Sequence, residues 1–282
     1  MGGNKSVLNV AHRGFRAIAP ENTLIAARAG RAIGADWWEL DVAASSDGEL
    51  VVIHDDTLVR TSDAARLFPG REPWCVYDFT MDELGRLDAG SWFGDKDPFG
   101  QIAEGKVGAS ELASYKGEKI PTLRSALEFT KAEGWKVNVE IKDASGRACD
   151  PWIVERTVEL VRELGMVGDV FISSFNHEYL RRCKAAEPGL PLGALIEPGD
   201  PRFPPGFDIV ALLRYLGAAA WHPGLEGLRE ADVRAVREAG FGVNVWTVNR
   251  PEDMRRLIGW GVTGLFTDFP DRLVRVLAEE HN

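Results

Sequence analysis

Val7-Leu8-Asn9-Val10-Ala11-His12-Arg13-Gly14 and, one helix later, Trp37-Trp38-Glu39-Leu40-Asp41-Val42 are the stretches from which the fold is read. The first is an apolar run that ends on a histidine. Residues 22–33 show helical spacing closed by Gly34, so the unit reads strand, helix, strand, with His12 at the C-terminal end of the first strand. In the second strand Trp38, Leu40 and Val42 alternate with Glu39 and Asp41, so the pleat sends the two acids to one face, about 6.6 Å apart. Two carboxylates that close repel each other unless a positive charge lies between them, and either an arginine or a metal ion would serve.

The same alternation returns in Val137-Asn138-Val139-Glu140-Ile141-Lys142, after a helix that Thr122 can cap and Gly134 ends. Asp150 and Pro151 read as the cap and first turn of a helix running to Leu164. Further strands are expected at 170–174, 192–196, 218–222, 243–247 and 264–267, with helices between them, including 177–186 and one entered at Pro251 and closed near Gly261. Eight strands, each followed by a helix, predict an α/β chain folded as a (β/α)8 TIM barrel. No compositional break argues for two domains, so 1–282 reads as one catalytic barrel. Aliphatic side chains usually fill such a barrel; Asn138, Glu140 and Lys142 in one row therefore need a polar partner inside it, or at least an internal Glu–Lys pair. A doubly wound open sheet would require a glycine-rich phosphate turn, and the chain has neither GxGxxG nor a Walker sequence.

Asp47-Gly48 between two strand-like runs signals a hairpin. A two-residue loop would set Ser46 opposite Glu49 and bring His54 opposite Asp41. From 57 to 119 the pattern lapses among prolines and glycines, with one short helix expected at 81–87. This reads as an insertion subdomain in the second βα loop, and its aromatic content suggests a packed satellite.

With 282 residues and 45% hydrophobic content, a large core is available. A formal net charge of -10 repels nucleic acid and anionic membrane surfaces at long range. Cys75, Cys149 and Cys183 have neither zinc-site nor disulfide spacing. No run is long and apolar enough to span a membrane and no charged leader precedes the first strand, so the expectation is a cytoplasmic protein without a stable membrane anchor. Met1-Gly2 with Ser6 matches the minimal myristoylation pattern, which is short enough to arise by chance.

The motifs His12-Arg13-Gly14, Pro20-Glu21-Asn22-Thr23, Glu39-Leu40-Asp41-Val42, Asp47-Gly48, His54-Asp55, Asn138-Val139-Glu140-Ile141-Lys142, Trp246-Thr247-Val248-Asn249 and Thr267-Asp268-Phe269-Pro270 occur in one order across the chain. Together they resemble the glycerophosphodiester phosphodiesterase family. The extra length at 100–119 departs from that resemblance. What it implies is a TIM-barrel hydrolase that releases glycerol 3-phosphate and an alcohol from glycerophosphodiesters, with one divalent cation as cofactor. By motif, Glu39, Asp41 and Glu140 would hold the metal, His12 and His54 would act as acid and base, and Arg13 and Lys142 would neutralise the phosphate. The residues agree: hard oxygen donors select Mg²⁺ or Ca²⁺, and displacement at phosphorus needs two proton transfers.

Trp246 lies on the same strand face as Asn244 and either walls the substrate pocket or packs in the core. Glu21 orients a catalytic group or adds a ligand, Asn22 caps the first helix, and Asp55 orients His54 or merely starts the insertion. Phe175 and His222 end strands and could line the pocket. The insertion is expected over the barrel mouth, choosing among leaving alcohols, unless Trp92 and Phe93 serve only as its anchors. Two other classes stand beside this reading. A lysophospholipase D or phospholipase C-like enzyme on lipid phosphodiesters is disfavoured by the missing basic patch and amphipathic helix. A non-catalytic glycerophosphate-binding protein is disfavoured by the presence of both histidines and all three carboxylates.

Overall fold

In the computed structural model, which describes residues 7–280 apart from 198 and 205, eight parallel strands close into a barrel with helices outside it. The strands are β1 (Leu8–Ala11), β2 (Trp37–Ala44), β3 (Leu50–Val52), β4 (Lys136–Ile141), β5 (Val170–Ser174), β6 (Leu192–Ile196), β7 (Ala220–Pro223), β8 (Gly242–Val245) and β9 (Gly264–Thr267). Of these, β3 is an antiparallel hairpin partner of β2, and the other eight form the ring, closed where β1 pairs with both β9 and β2. The expected (β/α)8 barrel is therefore what the chain forms. Met1, Gly2 and Ser6, with their short lipidation pattern, lie outside the described residues. No helix among the described residues is long and apolar enough to cross a membrane.

Strand alternation builds the two layers. Trp38, Leu40 and Val42 of β2 join Val137, Val139 and Ile141 of β4 in the large core beneath the helices. Trp38 stacks on Trp135 with centroids 6.2 Å apart, and its indole N–H donates to the Thr130 hydroxyl at 2.9 Å. Burial of each such side chain stabilises the fold by roughly 1.5–3 kcal/mol. The opposite set points into the barrel, where the register sets Glu39 beside Asn138 and Asp41 beside Glu140. Below them the His222 ring lies between Phe171 and Phe266, at 5.3 and 5.1 Å between centroids. Gly193 is required there, because a Cβ would stand 2.4 Å from the imidazole.

Helix boundaries follow local chemistry, with two corrections. Thr122 caps Leu123–Ala132, and Pro251–Trp260 starts on its proline and stops at Gly261, as expected. The first helix, Leu24–Ala32, is capped by Thr23, which accepts from the Ala26 amide, and not by Asn22. The helix after β4 is Ile153–Glu163, and Asp150 accepts the Tyr179 hydroxyl at 2.7 Å instead of capping it.

The hairpin differs by one residue from the expected register. Ser45 donates to the Glu49 carbonyl at 2.9 Å, so Ser46, Asp47 and Gly48 form the turn, with Gly48 at φ 93. Three-residue loops of this kind need a left-handed residue, which glycine supplies. The added residue places Ile53, and not His54, against Asp41: the Ile53 amide donates to the Asp41 carbonyl at 3.0 Å.

The 57–119 segment holds helices Ala64–Leu67, Met81–Arg86, Trp92–Lys96 and Ala109–Tyr115. Three of these escaped the sequence reading because, at 4, 5 and 7 residues, they are too short to repeat an apolar period. Leu58, Phe79, Leu84 and Leu87 pack on Val51 and Ile53 beside β3. Phe93, Val107 and Tyr115 pack on Ala19 and Ala26, and the Tyr115 hydroxyl donates to the Ile18 carbonyl at 2.8 Å.

Candidate active site

A cavity of about 330 Å³ opens at the C-terminal ends of the barrel strands, lined by His12, Arg13, Glu39, His54, Glu140, Lys142 and Trp246 among others. Asp41 lies just beneath it and is buried. Eight sequence positions separated by up to 234 residues thus meet in one place, because β1, β2, β4 and β8 all end there.

The floor is a carboxylate triad. Glu39, Asp41 and Glu140 each offer an oxygen, and these atoms lie within 4.8 Å of one another. Arg13 Nε stands 3.3 Å from Asp41, and Lys142 Nζ stands 2.8 Å from Glu140 and 3.5 Å from Asp41. Burial alone would push Asp41 up, yet the Arg13 and Lys142 cations hold it well below the usual carboxylate range. Glu39 goes the other way: burial and then the charges of Asp41 and Glu140 push it well above its ordinary value. Burial likewise raises Glu140, with Lys142 opposing. Asp41 Oδ1 has no hydrogen-bond partner among the described residues. A buried site with three hard oxygen donors, two of them pushed toward protonation and one with an orphaned oxygen, fits a divalent cation such as Mg²⁺ or Ca²⁺.

Local backbone holds the triad in place. Arg13 adopts φ 56 and Asn22 φ 57, left-handed conformations that cost non-glycine residues roughly 1–3 kcal/mol and concentrate at functional sites. The strained turn aims the Arg13 amide at Glu39 Oε2, at 2.9 Å. Asn22 donates to Asp41 Oδ2 at 2.8 Å, so the residue expected as a helix cap orients a carboxylate instead. Gly14, at φ 82, lets this loop lie against the first helix; a Cβ there would be 2.6 Å from the Ala26 backbone.

Each histidine is backed by an acid. His12 Nδ1 lies 2.8 Å from Asp268 Oδ1, and His54 Nδ1 lies 2.6 Å from Asp55 Oδ1. Asp268 and Asp55 are held below the usual carboxylate range, overcoming burial through these imidazole contacts. Each ionised acid accepts only, so the shared proton belongs to Nδ1 and Nε2 is left for the cavity. Burial, with Arg13 adding to it, lowers His12 to about 4. Asp55 thus contacts His54 as one of its two expected roles required.

Glu21 accepts from Arg13, Arg16 and Arg60, and those cations hold it well below its ordinary range against burial. Of its two expected places, Trp246 takes the wall: it is half-buried, lines the cavity edge-on to Phe175 at 5.5 Å, and its indole N–H donates to the His222 carbonyl at 2.9 Å. His222 itself sits deeper in the barrel and is not part of the lining. Among the described residues, none of 57–119 lines this cavity. The sequence reading placed Asp268 in a motif without giving it a role, and it missed Arg16 and Arg60. Barrel closure was the available signal for Asp268, since the last strand must end beside the first.

The pattern of the glycerophosphoryl diester phosphodiesterase family matches residues 12–272. A glycerophosphodiester phosphodiesterase of Caldanaerobacter subterraneus is 35% identical over 270 residues, covering 96% of this chain and 97% of the relative. One from Bacillus subtilis is 31% identical over 277 residues, covering 96% and 86%. An Oleispira antarctica phosphodiesterase, whose structure holds the product sn-glycerol-3-phosphate, superposes with a TM-score of 0.79 at 28% identity, covering 95% of this chain and 96% of that one. With the barrel, the acid triad and the paired histidines, these matches make the chain a member of the glycerophosphoryl diester phosphodiesterase family.

Proposed function

We propose that this glycerophosphodiester phosphodiesterase holds one divalent cation, Mg²⁺ or Ca²⁺, on Glu39, Asp41 and Glu140, and cleaves small glycerophosphodiesters to glycerol 3-phosphate and an alcohol. The observation that carries the reading is the buried carboxylate triad flanked, in one cavity, by two acid-backed histidines. When bound, the cation supplies Lewis-acid stabilisation of the charge on the phosphoryl oxygens. Arg13 is aimed by Glu21 at 2.8 Å and Lys142 is held between Glu140 and Asp41, which suits both to neutralise the phosphate. His12 and His54 move the two protons of the displacement: one leaves the attacking oxygen, and one reaches the alcohol oxygen as its bond to phosphorus breaks. Trp246 and Phe175 offer an apolar wall for the carbon skeleton beside the phosphate. The net charge of -10 favours water-soluble substrates over anionic lipid surfaces or nucleic acid, and we place the activity in the cytoplasm.

Separating the products formed from a panel of glycerophosphodiesters, with and without excess EDTA, tests the reading. Glycerol 3-phosphate should appear only in the metal-replete reactions. Full activity of metal-free enzyme, or glycerol and an alcohol phosphate as the products, would contradict it.

A further inference from the structure

Arg60 belongs to the insertion, outside every motif assigned a role above, yet it reaches the catalytic machinery from behind. One guanidinium grips two carboxylates. Its Nη1 and Nη2 donate to the two oxygens of Glu21 at 2.8 and 2.7 Å, and its Nε and Nη2 donate to the two oxygens of Asp55 at 2.5 and 2.9 Å. Asp55 is the acid behind His54, and Glu21 is the acid that aims Arg13. Glu21 also accepts from Arg16 at 2.9 Å, and Arg16 reaches Asp268, the acid behind His12, at 3.4 Å. Both histidines are therefore ends of one chain of charge-assisted contacts, with Arg60 and Glu21 at its middle. Three arginines (Arg13, Arg16 and Arg60) face three acids (Glu21, Asp55 and Asp268), and Arg13 links this network to the triad at Asp41, 3.3 Å from its Nε.

We propose that Arg60 is a positioning residue through which the insertion contributes to catalysis: it fixes the Asp55–His54 pair and the Glu21–Arg13 pair in one geometry. The inference rests on the proposed roles of His54 and Arg13. A forked, planar cation is needed, because a lysine offers one point charge and cannot bridge two carboxylates with four bonds. The side chain is about a third exposed, at 36%, so a small cation added to solution can reach its place.

The test compares wild type, Arg60→Ala and Arg60→Lys in metal-replete full-length enzyme, measuring kcat, KM, melting temperature and rescue by added methylguanidinium. Loss of such an outer partner typically costs 10–100-fold, so kcat should fall by about that much in both variants while KM changes little. Methylguanidinium should restore part of kcat in Arg60→Ala and none in Arg60→Lys, whose ammonium occupies the space. Unchanged kcat in Arg60→Ala, or a loss that follows falling thermal stability and resists rescue, would overturn the inference. Should Arg60→Ala fail to fold, Arg60→Lys decides: wild-type kcat in that variant refutes the need for a fork. A wild-type enzyme inert toward every glycerophosphodiester would instead refute the proposed function, so the two failures are separable.

Discussion

Replacing Glu39 by Gln should make the metal-free protein more stable and the metal-loaded protein less responsive. The triad oxygens lie within 4.8 Å of one another, and two unit charges at that distance repel by about 3.5 kcal/mol at an effective dielectric of about 20. Glu39→Gln deletes two such repulsions. Part of that gain is already taken when the metal-free carboxyl binds a proton, as its raised pKa implies, and part is lost with the attraction to Arg13. Glutamine keeps an oxygen for the Arg13 amide, which now donates at 2.9 Å. A net gain of roughly 2 kcal/mol is expected, or about 4–8 °C in melting temperature for a domain of this size.

Cation binding reverses the ranking. A ligand at about 100 times its Kd stabilises the folded state by about 2.7 kcal/mol, which corresponds to roughly 5–11 °C here. Wild type should show that rise with Mg²⁺ or Ca²⁺ after chelator treatment, and Glu39→Gln should show little of it. The pH dependence has a defined sign: because the folded chain holds the Glu39 proton more tightly than the unfolded chain, this group's contribution to metal-free stability falls as pH rises through its folded value. Metal binding should accordingly release protons, measurable by titration calorimetry in buffers of different ionisation enthalpy. A wild-type melting temperature indifferent to both ions, or a full metal-dependent rise in Glu39→Gln, would refute the reasoning.

Replacing either His12 or His54 by Ala should lower turnover by roughly 10²–10⁴-fold with the fold intact, and a nitrophenyl ester, which needs no protonation on leaving, should rescue only the variant that lacks the general acid. Near-normal turnover by either variant would remove the pair from the mechanism. His222, stacked inside the barrel, is lowered from 6.5 to about 3 by burial, so its contribution is present above pH 6.5 and is lost as pH falls through the folded value. Unfolding free energies from denaturant titrations between pH 6.5 and 4.5 should drop by about 1.4 kcal/mol per pH unit more in wild type than in His222→Phe; equal slopes would contradict the assignment. Shortening 100–117 to a brief linker should cost roughly 2–4 kcal/mol, because Val107 and Tyr115 leave the cluster around Phe93, while the ranking of kcat/KM among different glycerophosphodiesters stays the same. A changed ranking would give the insertion a direct hold on substrate.

The barrel was legible because period-two alternation and helix punctuation are local signals, and eight repeats of them leave few other folds. Glu39, Asp41 and Glu140 were legible for a related reason: acids alternating with core aliphatics must point inward, and neighbouring strands of one barrel bring inward residues together. Their partners were hidden by distance along the chain. Asp268 is 256 residues from His12, and the contact exists only because β9 closes against β1. Asn22 was misread as a cap because asparagine serves equally well there; Thr23, one residue on, took that task and freed Asn22 for Asp41.

The same contrast explains where the arginines went. A sequence with ten more acids than bases reads as a poor home for a phosphate, yet Arg13, Arg16 and Arg60 converge on a single buried glutamate. That convergence answers a problem set by the triad. Three carboxylates within 4.8 Å need positive charge close by, but a cation free to swing onto the triad would compete with a metal for its oxygens. Glu21 restrains Arg13 by taking one of its guanidinium nitrogens at 2.8 Å, leaving only Nε near Asp41 at 3.3 Å. Lys142 is the looser partner, a point charge shared between Glu140 and Asp41, which suits its proposed role of turning toward an incoming phosphate. The insertion's Arg60 then fixes Glu21 from the far side. A segment that lines none of the cavity can in this way govern how rigidly Arg13, the arginine proposed to neutralise the phosphate, is held.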